Sequence, residues 1–161
     1  MTGVFELIPE LSDGLVQFYT IKLGNSELSE FYLFDEKNFP EHEKEVALLY
    51  SIIGKMKARG AKHYYFKHEG PAHAIPRVKQ HIIDANSEDY GIRLYCIYLT
   101  DYLVVLLNGD IKTTQNPIDC ANVGRHFKNA VRIAEKLDRK CLDGDIDFTQ
   151  PDCLTDFEIE I

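Results

Sequence analysis

The stretch Ile92-Arg-Leu-Tyr-Cys-Ile-Tyr-Leu99, Thr100-Asp101, Tyr102-Leu-Val-Val-Leu-Leu107 decides how this chain folds. Two strand-length runs of aliphatic, aromatic and β-branched residues flank a two-residue turn, which predicts an antiparallel hairpin. Neither run alternates with polar residues, so both faces of the hairpin need covering. Asn108-Gly-Asp110 reads as the end of the second run.

The covering elements lie on either side. Upstream, Leu15 to Leu23 predicts another strand, closed by Gly24-Asn25, and Ser26 can cap a short helix over residues 27–37. Residues 41–59 carry Val46, Leu49, Ile53 and Met56 at three- and four-residue steps, with acids early, bases late and Gly60 as the stop. Lys62 to His68 and Arg77 to Ile83 read as extended segments. Downstream, Asn116-Pro117 opens a helix running to about Lys140, striped by Val123, Phe127, Ala130, Val131, Ala134 and Leu137. Gly124 is expected to shorten it. The chain therefore divides into an irregular lead-in (1–14), an α+β domain (15–142) and an acidic tail (143–161). The expected fold is a small antiparallel sheet packed against N-terminal helices and a C-terminal helix.

With 161 residues, 45% of them hydrophobic and 27% charged, the chain has enough apolar material for one domain. It has no run long enough to cross a membrane and no secretory leader at its start, which predicts a soluble, cytoplasmic protein without membrane contact. Its four cysteines show no CxxC pair, so they read as reduced thiols, with Cys96 a core residue.

The net charge of −8 conceals a polarised chain: −7 over residues 1–46, +6 over 47–142 and −7 over 143–161. Two readings stand. Each block is an ordinary solvated surface, or the middle meets a polyanion and the tail regulates that contact. The tail interleaves its acids with Ile146, Phe148, Leu154, Phe157, Ile159 and Ile161. On the second reading it docks on residues 47–142, as an added strand anchored by those apolar residues, and competes there with nucleic acid.

Phosphate-binding glycine loops, HExxH and local catalytic-triad signatures are all missing, so no cofactor or metal is expected. One longer segment carries a resemblance. Arg93 through the hairpin to Lys112-Thr-Thr-Gln-Asn-Pro117, followed by the amphipathic helix, resembles the C-terminal half of RelE/ParE-type toxins. The upstream strand and two helices fit the same small fold, so the resemblance spans about residues 15–140. It implies a toxin–antitoxin protein, either a ribosome-dependent mRNA endonuclease or a gyrase inhibitor, neutralised by a partner antitoxin.

By that resemblance, Arg93 and Lys112 fall where the nuclease members carry functional basic residues. Their chemistry needs no metal: the ribose 2′-OH attacks the adjacent phosphate, and fixed cations stabilise the developing charge. Arg93 would grip the phosphate with its planar fork and Lys112 would supply a point charge, with Arg77, Lys79, His81 and Thr113 adding substrate contacts. The chain departs from the pattern where Thr113 follows Lys112 in place of a second base, and in its acidic balance. A second class therefore stands beside the endonuclease: a non-catalytic protein-interaction module on a degenerate RelE-like fold.

Overall fold

The computed structural model describes residues 1–77, 91–114 and 116–161. In chain order its main elements are β1 (Thr2–Leu7), β2 (Gln17–Leu23), α1 (Glu30–Asp35), α2 (Glu43–Arg59), β3 (Lys67–Glu69), β4 (Ala72–Ile75), β5 (Gly91–Thr100), β6 (Leu103–Lys112), α3 (Gly124–Leu142) and β7 (Glu158–Glu160). The class is α+β, as expected. Among the described residues, seven strands form one sheet in the order β3-β4-β5-β6-β2-β1-β7.

The hairpin forms as expected, with its turn one residue later, at Asp101 and Tyr102: β5 and β6 run antiparallel, with Thr100 opposite Leu103. Their continuous apolar runs are buried on both faces, which places them at the centre of the sheet. One pairing differs from the expected all-antiparallel sheet. β2 lies parallel to β6, with Gln17, Phe18 and Tyr19 opposite Leu103, Val104 and Val105. A parallel neighbour requires a long crossover, which the intervening helices and strands provide.

Each face of the sheet has its own core. On one, Leu49, Ile53 and Met56 of α2 and Phe31 and Phe34 of α1 pack on Phe18, Leu94, Cys96, Val104 and Leu106. Each of these large side chains contributes about 1.5–3 kcal/mol by leaving water. On the other face, Ala130, Ile133, Ala134 and Leu137 of α3 pack on Tyr95, Ile97, Val105 and Leu107. Cys96 is a buried core residue, and all four thiols are free of disulfides. No helix among the described residues is long and apolar enough to cross a membrane.

Several local expectations are corrected. Residues 2–7, read as irregular, form β1, which pairs with β2 through Phe5 opposite Ile21. The cap of α1 is not Ser26: the helix starts at Glu30, and its Phe31 N–H donates to the Thr20 hydroxyl of β2 at 3.0 Å. Asn108-Gly-Asp110 does not end β6. The strand bulges there, with Leu94 opposite Gly109 but Cys96 opposite Leu106, and continues to Lys112. Gly124 starts α3, after a 3-10 turn at Pro117–Asp119. The extended segment expected at 77–83 lies, beyond Arg77, outside the described residues.

The acidic tail does add a strand, but not on residues 47–142: β7 pairs with β1, Gly3 opposite Ile159. Its Ile146, Leu154 and Ile159 are buried in the same core as α3, and Tyr19 donates from its hydroxyl to the Pro151 carbonyl at 3.2 Å. Apolar burial makes the tail part of the core.

Candidate functional site

Arg93 sits opposite Asp110 in the β5–β6 register, and Lys112 sits opposite Gly91. Opposed residues share a face, so both cations lie on the side of the sheet that α3 covers. They are interior: Arg93 is 0% exposed and Lys112 2%. This differs from the substrate-accessible position that the resemblance implied for both. β6 runs on past its bulge to Lys112, and Asn122 of the segment before α3 donates from Nδ2 to the Ile111 carbonyl beside it at 3.1 Å. One guanidinium nitrogen of Arg93, Nη1, donates to the Ile92 carbonyl at 3.1 Å.

Thr113 follows Lys112 and is exposed. Its backbone N–H donates to the Cys120 sulfur at 3.4 Å, and its hydroxyl lies 3.5 Å from that atom. Burial alone would raise the Cys120 thiol, but hydrogen bonds from Thr113 and from the backbone at Val123 and Asn122 bring it down to about 7. Tyr95 stands nearby on β5 with its phenol pushed up by burial, an effect that Glu69 reinforces and Arg93 opposes. Arg77 follows β4, is exposed, and donates from Nη1 to the Tyr64 carbonyl at 3.5 Å. Lys79 and His81 lie outside the described residues. The structure therefore brings Arg93, Lys112 and Thr113 together while closing the first two off from solvent.

A second polar cluster was not legible in the sequence. Beyond Val105 the β2–β6 pairing stops, and α1 packs against the diverging end of β6. Just past α1, the Lys37 ammonium donates to Asn108 Oδ1 at 3.0 Å and to the Gly109 carbonyl at 2.7 Å. It also lies 3.4 Å from Asp110 Oδ2 and 3.4 Å from His126 Nε2 of α3. Burial, Lys37 and Arg125 lower the His126 pKa to about 4, so the imidazole is neutral at pH 7. Burial raises the neighbouring Glu30 carboxyl, and the Asn108 hydrogen bond opposes that rise. Facing three oxygens of β6 and a ring nitrogen of α3, Lys37 is a clamp joining the end of α1 to both. Lys37 and its partners come from three distant parts of the chain, so no local motif announces the cluster.

A row of accessible cations runs along α3. Arg125, Lys128, Arg132, Lys136 and Arg139 are all exposed, at three- and four-residue steps. In the sequence these bases carry the same three- and four-residue spacing as the apolar stripe beside them. Phe127 and Val131, at the edge of that stripe, are only partly buried. They line a groove of about 590 Å³ together with Ile118, Pro71 and the cations Arg125, Lys128 and Arg132. Ile118 is 53% exposed. Comparison with protein-family models, curated proteins and solved structures finds no match to this chain.

Proposed function

We propose that the chain is a non-catalytic protein-interaction module on a RelE/ParE-like fold, a member of the toxin–antitoxin class whose partner is a small antitoxin-like protein. The RelE-like part of the reading draws on the element order: a strand, two helices, the β5–β6 hairpin and a C-terminal helix. The choice of binding over RNA cleavage rests on one observation, the burial of Arg93 and Lys112 at 0% and 2% exposure. A cation stabilises a phosphoryl transition state only if it can come within hydrogen-bond distance of it. Binding needs no such access, and the solvent-facing bases and apolar residues of α3 supply a contact surface.

The endonuclease reading keeps one supporting observation. Arg93 and Lys112 share a face on adjacent strands, two register steps apart. Expression of the chain alone, with growth and mRNA integrity followed together, decides between the two. The interaction reading expects intact mRNA whether or not growth slows. Fragmented mRNA that returns to full length in Arg93→Lys and Lys112→Gln proteins of unchanged fold would overturn it in favour of the endonuclease.

A further inference from the structure

We infer that the groove between the first half of α3, the 117–119 turn and the β3–β4 turn is a docking site for a short acidic, apolar segment of a protein partner. This rests on the interaction reading above and gives that partner a chemistry. The helix already holds one such segment. Along its C-terminal half, the chain's own tail buries Ile146, Leu154 and Ile159 against the α3 core, and its acids answer the helix's bases. Lys140 bonds Asp145 at 3.1 Å, and Glu158 and Glu160 of β7 line a depression with Lys136, Arg139 and Lys140.

The N-terminal half carries the same combination without a covering segment among the described residues. Arg125, Lys128 and Arg132 rim an apolar floor of Phe127, Val131 and Ile118, closed at the sheet edge by Pro71, and among the described residues no carboxylate lines it. At about 590 Å³ the groove falls in the usual size range of small binding sites, about 300–1,000 Å³. The floor selects for large apolar side chains, because an exposed apolar surface gains by leaving water. The rim selects for carboxylates between them and sets the association rate. A duplex would use the cations and leave the floor unfilled, and single-stranded bases would find one ring to stack on, Phe127, among aliphatic side chains, so the whole groove favours a peptide over a polyanion.

The test uses the full chain and a fluorescently labelled synthetic peptide in which Asp and Glu alternate with Phe and Ile, read by anisotropy. Oligoglutamate, the same peptide with its Phe and Ile replaced by Ser, and a single-stranded RNA serve as competitors. The groove predicts peptide binding that the competitors do not displace. A Lys128→Glu/Arg132→Glu protein should bind at least about 30-fold more weakly, and Ile118→Ser about fivefold. Lys55→Glu, on the far face, should change affinity by less than about twofold. All these residues are exposed, so circular dichroism should show an unchanged fold. Equal binding of oligoglutamate or RNA would show a mere polyanion surface and overturn the proposal, as would unchanged affinity in the double reversal. Intact mRNA with no peptide binding sinks the groove alone. Peptide binding by a protein that also cuts mRNA sinks only the non-catalytic reading.

Discussion

Gly109 of β6 lies against the Arg93 carbonyl of β5 so closely that a Cβ on residue 109 would stand 1.8 Å from that oxygen. The bulge of β6 passes at this point, and the two backbones approach as only a residue without a side chain allows. Both contacting groups are main chain at the centre of the sheet, so neither can turn aside. Gly109→Ala should therefore cost about 3 kcal/mol or more. The shift in the urea midpoint at constant slope measures it. A cost below about 1 kcal/mol would mean that the strands separate there at little expense.

Arg93 and Lys112 should behave as interior residues. Arg93→Ala removes a large, fully buried side chain and leaves a void on the α3 side of the sheet. The expected loss is about 3–5 kcal/mol, and for Lys112→Ala about 2–4 kcal/mol. Chemical denaturation of each variant checks this. Full stability of the alanine variants would show that both side chains are free to serve a substrate instead.

The tail should act as core. Leu154 is 0% exposed, packed with the α3 cluster, so Leu154→Ala should destabilise by about 2–4 kcal/mol. Removing residues 143–161 should lower the melting temperature and expose apolar surface to a dye such as ANS, because Ile146, Leu154 and Ile159 are withdrawn together. A truncated chain that melts as the full one does would make the tail a solubilising arm.

Acid should weaken the fold through two histidines. His73, pressed between Phe66 and Tyr98 and accepting the Tyr98 N–H at 3.3 Å, has its pKa lowered to about 4 by burial and by His68. His126 is lowered to about 4 by burial and by Lys37 and Arg125, with Asp110 opposing. Both titrate near 6.5 when unfolded. The unfolded chain thus takes up protons first as pH falls, so stability is full above about 6.5 and declines toward about 4. Denaturant midpoints between pH 7.5 and 4.5 should show this fall, and His73→Phe should reduce its slope. An unchanged slope in His73→Phe would show that residue to titrate normally.

Within the sequence, local physics was enough for much of the fold. The runs 92–99 and 102–107 had only one way to hide their apolar surface, as a central hairpin, and the spacing of Leu49, Ile53 and Met56 fixed the buried face of α2. The apolar residues of the tail likewise announced that it would dock. Tertiary structure alone decided what lies next to what. The parallel placement of β2 on β6, the pairing of β7 with β1 and the Lys37 clamp each join residues far apart in the chain, and no periodicity encodes such neighbours. It also decided the standing of Arg93 and Lys112. Their identity as cations at the ends of apolar runs reads the same whether solvent or protein lies beyond. Both lie inside, because burial belongs to how the elements close over one another and not to either strand.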